Sequence, residues 1–171
     1  MKKLIFLFLV ILLFGFNYAY SQESKSQICK NACKVLNDPN FCKRICEIEI
    51  SDPKWKFYNL SIGGAWFLDP TSISAFNNVV KVRVKIIYSE IEKQQIVKIM
   101  GREYKKLDHS LILYEIDCAK KRERIISLVA YASDGLVINS RKIPNFPAEW
   151  IPILPNSVAE SLFKEVCRVE E

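Results

Sequence analysis

The sequence predicts an α+β protein: an antiparallel β-sheet of about six strands with a C-terminal α-helix packed on one face and held there by a disulfide. A small disulfide-stapled helical hairpin precedes this domain. Three observations carry the expectation. Val80-Lys81-Val82-Arg83-Val84-Lys85-Ile86 alternates apolar and cationic residues without a fault, the period of a half-buried strand. Leu111 to Cys118 and Arg124 to Tyr131 read as two more strands, joined by the charged connection Ala119 to Glu123, which is short enough to return the chain antiparallel. Finally, Ser157 with Glu160 forms a capping box ahead of the stripe Ala159, Leu162, Phe163 and Val166, which marks a helix ending near Cys167.

Taken in order, Met1-Lys2-Lys3 and the apolar run from Leu4 to Phe16 have the form of a secretory signal peptide over residues 1–21. Ala19 and Ser21 place cleavage after Ser21. The run falls short of the roughly 20 residues that span a bilayer, so no stable membrane anchor is expected after cleavage; an uncleaved anchor is the rival reading. A lipid anchor needs a cysteine directly after the cleavage site, and Cys29 follows Gln27-Ile28 instead. The expected location is the periplasm, the cell surface or the medium.

Residues 22–50 read as a polar tether and a four-cysteine hairpin. Cys29 and Cys33, like Cys42 and Cys46, are four apart and share a helix face. Asn37-Asp38-Pro39-Asn40 is a turn signal between them. Two short helices folded back on each other would join Cys33 to Cys42 and Cys29 to Cys46, in a compartment that favours oxidation.

Residues 51–171 form the main domain. Strands are expected at Trp55 to Leu60 and Ala65 to Leu68, with turns at Asp69-Pro70-Thr71-Ser72 and Asn77-Asn78. The alternating strand follows. Val97, Met100, Tyr104 and Leu107 are spaced as a helix over Glu90 to Leu107, though Gly101 weakens it. In the central hairpin Ile112, Tyr114, Ile116 and Cys118 share the packed face, while Glu115 and Asp117 point the other way. Cys118 is expected to pair with Cys167, fastening the last helix to the sheet. Ser133-Asp134-Gly135 turns into a strand at Leu136 to Arg141. The four prolines of Ile143 to Pro155 make that stretch an extended arm. Trp55, Phe57, Trp66, Phe67 and Phe76 are expected to fill the core.

With Trp55, Asp69-Pro70, Asp117-Cys118, Tyr131 before Asp134-Gly135, and Trp150-Ile151-Pro152-Ile153-Leu154-Pro155-Asn156-Ser157 leading to Cys167, the segment Trp55 to Cys167 resembles the surface-adhesin protein E family of exported bacterial proteins. The resemblance implies an antiparallel sheet with the terminal helix held by the Cys118 to Cys167 bond. It also implies a surface protein that binds host matrix and serum proteins. The matched residues determine fold, so no binding residue is carried over. This chain departs from the pattern in having no lipobox, in its extra four-cysteine hairpin, and in a charged insert around Glu90 to Lys106.

Charge narrows the function classes. Without Lys2 and Lys3 the net charge of +6 falls to +4, too small to argue for nucleic acid and suited to encounters with anionic glycans, lipid head groups or acidic proteins. Lys81, Arg83 and Lys85, extended by Lys120, Lys121, Arg122 and Arg124, are the candidate ligand surface; the same row would also serve as an ordinary solvated strand face. Asp108-His109-Ser110 holds the residue types of a hydrolase triad, but neighbours on an extended chain face opposite ways. His109 is the single histidine. No catalytic pair and no metal or cofactor constellation stands at workable spacing. The expected function is therefore an exported, non-enzymatic binding module, adhesin-like, for extracellular or envelope proteins or anionic surfaces. The alternative is a periplasmic structural or envelope-assembly component, and a homodimer is left open.

Overall fold

The computed structural model describes residues 38–142 and 149–167, which fall into two compact units, 1–47 and 48–171. In the first unit Asp38 opens helix α1 (Pro39–Ser51) by accepting the Phe41 N–H at 3.0 Å, and Pro39 takes the first helical position, where its missing donor costs nothing. The helix thus starts inside the stretch expected to be a turn. Cys42 and Cys46, one helical turn apart, are each disulfide-bonded. Their expected pairing with Cys33 and Cys29 lies outside the described residues, as do the signal segment and the tether.

The second unit is a meander. Strands β1 (Lys56–Ser61), β2 (Gly64–Phe76), β3 (Val79–Tyr88), β4 (Leu107–Asp117), β5 (Arg122–Ala132) and β6 (Val137–Lys142) lie side by side in sequence order, every pair antiparallel. A short β7 (Ile151–Pro152) pairs with the start of β5, so the proline-rich arm meets the sheet there; residues 143–148 lie outside the described residues. Tight turns hold the meander: Asn77 and Asn78 both take positive φ (48° and 61°), the left-handed pair that suits strand twist. At the β1–β2 turn Gly64 has φ +152°, and a Cβ there would stand 2.1 Å from the Ile87 carbonyl oxygen, so only glycine fits.

The alternating strand packs as its sequence demands. Val80, Val82, Val84 and Ile86 are buried on one face with Leu68, Ile112, Tyr114 and Ile116. Helix α3 (Val158–Val166) covers this face, inserting Leu162, which is 1% exposed. Ser157 caps it by accepting the Glu160 N–H at 3.1 Å, and the Glu160 carboxylate accepts the Asn156 N–H at 2.8 Å. Three further ties fix the helix: Asn59 to the Ser161 hydroxyl at 2.8 Å, Lys56 to Glu165 at 2.6 Å, and the Cys118–Cys167 disulfide with its Cα atoms 5.6 Å apart.

Three expectations are corrected. Asp69-Pro70-Thr71-Ser72 does not end β2: the pairing with β3 skips from Asp69 to Ser74, so Pro70 sits in an irregularity where it need not donate to the ladder. The helix after β3, α2 (Glu90–Met100), stops at Gly101, whose φ of +115° leaves the helical region. A 3₁₀ turn, Arg102–Lys106, follows, and Leu107 already begins β4. Of the aromatics, Trp55 and Phe67 are buried, whereas Phe76 is 78% exposed at the β2–β3 turn, because register pairs it with Val79 on the face opposite the core.

Candidate ligand-binding face

The alternation that buries the valines of β3 puts Lys81, Arg83 and Lys85 together on the opposite face of the sheet. Register then decides what they meet. Glu115 of β4 lies between Lys81 and Arg124, Asp117 lies beside Arg122, and Asp69 of β2 lies opposite Arg83. Lys81 Nζ is 3.1 Å from Glu115 Oε1, and Arg124 Nε donates to Glu115 Oε2 at 2.7 Å. Arg122 Nε donates to Asp117 Oδ2 at 2.9 Å, and the Lys120 backbone N–H donates to Oδ1 at 3.0 Å. Asp69 draws Arg83 at 3.4 Å and Lys54 at 3.6 Å, and accepts the Thr71 hydroxyl at 2.6 Å.

The three carboxylates are nearly buried, and their lysine and arginine partners reach into solvent. Burial alone would push each carboxyl upward. For Asp69 the Thr71 hydrogen bonds and the charges of Lys54 and Arg83 outweigh it; for Glu115, Arg124 and Lys81 do so; for Asp117, the Lys120 N–H and Arg122 do so. All three lie below their ordinary values and stay ionised. Among the described residues Lys54, Lys81, Arg83, Arg122 and Arg124 are thus five cations set around these three carboxylates.

Aromatic rings flank the cations. Lys54 and Lys85 each stand 5.5 Å from the centre of the Trp55 ring. The Arg122 and Arg124 guanidinium groups stand 4.7 and 4.4 Å from the centre of Trp150, just ahead of β7. Between β2 and β5 opens a cleft of about 420 Å³ walled by Ser74, Phe76, Asn77, Lys81, Glu115 and Arg124, with the Phe76 ring at its rim.

The expected row of Lys81, Arg83 and Lys85 is therefore brought together, each of the three engaged with a carboxylate or a ring. Sequence reasoning set Glu115 and Asp117 on this side but did not see their pairing, and it missed Asp69, Lys54 and Trp150. Asp108, His109 and Ser110 do not form a triad. Ser110 faces the core, bonded to the Tyr88 hydroxyl at 3.0 Å, while His109 stacks on Tyr131 with ring centres 4.9 Å apart. Unlike the expectation for strand neighbours, Asp108 Oδ2 does reach His109 Nδ1 at 2.9 Å, beside a slip of the β4–β5 register between Leu107 and His109. Among the described residues no cluster of three or more His, Cys, Asp or Glu could hold a metal ion.

A family model described as surface-adhesin protein E matches residues 55–168. The chain belongs to the surface-adhesin protein E family. That family places it among adhesin-like binding proteins at an exported or surface location. Among the described residues no helix is long and apolar enough to cross a membrane. Solved structures of Haemophilus influenzae protein E are similar to it. Crystal form II shares 11% identity over 67% of this chain and 87% of that chain, with a TM-score of 0.46. The protein from a non-typeable strain shares 13% over 65% and 74%, with a TM-score of 0.42. No curated protein matches this chain at a significant level.

Proposed function

We propose that the protein is an exported, non-enzymatic adhesin-like module whose outer sheet face binds anionic extracellular partners, either acidic patches on host proteins or sulfated glycans. The observation that supports this reading is that, among the described residues, five cations gather around three carboxylates on one face, flanked by Trp55 and Trp150 and bordered by the exposed Phe76. A cationic sheet face can accept sulfates between its cations and stack a sugar or side-chain face on the exposed Phe76 ring. In this reading residues 1–21 are the export signal, 22–50 a tether and hairpin closed by Cys33–Cys42 and Cys29–Cys46, and 51–171 the binding domain.

The test is retention on a heparin matrix. Replacing Lys81, Arg83 and Lys85 by Ser removes three positive charges from the face and leaves Glu115 with Arg124 and Asp69 with Lys54. The triple variant is expected to stay folded and elute at clearly lower salt; unchanged elution overturns the proposal. Protease treatment of intact cells is expected to remove the protein, and its survival there would overturn the surface placement.

A further inference from the structure

On the core side of the sheet, away from the cationic face, α2 and the 3₁₀ turn arch over β4, β5 and β6 and wall a half-open chamber of about 320 Å³. Ile96 and Met100 of α2 are part of its roof, and Leu128 and Ala130 of β5 part of its floor. None of its lining residues among those described is charged. Two hydrogen-bonded pairs sit in its wall: Tyr88 with Ser110 at 3.0 Å, and the Asn139 amide donating to the Tyr104 hydroxyl at 2.7 Å. Ser110 is 1% and Tyr104 7% exposed. Each of these polar atoms is hydrogen-bonded, and a hydroxyl proton that its pair does not use can meet an incoming oxygen.

The roof has the looseness such a site needs. Helix α2 has no buried residue. It is fastened at its start by Ser89, which donates to the Ile62 carbonyl at 2.7 Å, and it ends on Gly101. Met100, 42% exposed, stands beside that glycine.

We propose that this chamber is a binding site for a small, uncharged, mainly apolar molecule carrying one oxygen acceptor, of the medium-chain ketone or alcohol class. At about 30 Å³ per water-sized volume it holds roughly ten heavy atoms. It lies at the small end of ligand pockets, which run from roughly 300 Å³ upward. A carboxylate seated against this wall finds no cation to offset its desolvation. Burial also pushes the Tyr88 hydroxyl up, so it remains a proton donor.

Saturation-transfer NMR on the full mature protein with 2-nonanone, and in parallel with nonanoate, tests the assignment. Transfer to 2-nonanone is expected, with nonanoate at least about tenfold weaker. Ala130→Leu fills the floor and is expected to abolish transfer; Met100→Trp does the same from the roof should Ala130→Leu fail to unfold cooperatively. Tyr104→Phe keeps the volume and is expected to weaken binding by about tenfold. No transfer from 2-nonanone, equal binding of nonanoate, persistence in the filled variant, or an unchanged affinity in Tyr104→Phe each overturns the proposal.

Discussion

Replacing both Cys118 and Cys167 by Ala removes the bond that closes a loop of 49 residues. In the chain-entropy treatment a loop of that length constrains the unfolded chain by about 4 kcal/mol at 25 °C. The folded domain keeps its other ties to α3, namely Leu162 in the core, Asn59 to Ser161 and Lys56 to Glu165, so the loss acts on the unfolded side. The double variant is therefore expected to fold and to lose about 3–4 kcal/mol in urea denaturation. Its m value is expected to rise, because an unlinked unfolded chain exposes more surface. For a domain of this size the midpoint temperature should drop by roughly 10–20 °C. A loss under about 1 kcal/mol with an unchanged m value would refute the reasoning, since it would mean that packing alone holds the helix.

Two other outcomes follow from geometry already described. Gly64→Ala forces a methyl against the Ile87 carbonyl oxygen and is expected to cost about 2 kcal/mol or more in chemical denaturation, a loss that a mere change in turn propensity would not reach. The lowered carboxyls of Asp69, Glu115 and Asp117 contribute stability that is present above their unfolded values near about 4 and is lost as pH falls through their folded values. Glu123, raised by burial, has the opposite sign: its contribution is present in acid and lost as pH rises through its folded value. The urea midpoint should thus fall steeply below about pH 4, and Glu123→Gln should raise the midpoint at pH 7; a wild-type midpoint that climbs between pH 5 and 3 would contradict the first, and an unchanged variant the second.

How much of this was written in the chain depends on range. Strand β3 was legible because every residue of Val80 to Ile86 obeys one period, and α3 because Ser157 and Glu160 announce its start. Asp69-Pro70 misled because a proline inside a strand looks like a stop until the partner strand is seen to skip it. Gly101 was visible, but whether a glycine is tolerated in a helix or breaks it depends on its φ. The cationic row could be read from β3 alone. Its carboxylate partners could not, because Lys81, Glu115 and Arg124 come from three strands and meet only once register is fixed. Trp150 reaches Arg122 and Arg124 from beside β7, a two-residue pairing with no period to detect. The apolar chamber draws its wall from Tyr88 to Asn139, across six elements, and left no local signal.

The order of β1 to β6 in the sheet is their order in the chain, and β7 alone turns back to β5. A nascent polypeptide emerging from its amino end can therefore add each of these six ribbons to the rim of the one before, and only β7 and the carboxyl-terminal rod return to strands already laid down. Assembly of this kind suits a protein delivered as a thread: at every stage the growing edge waits only for the residues that come next.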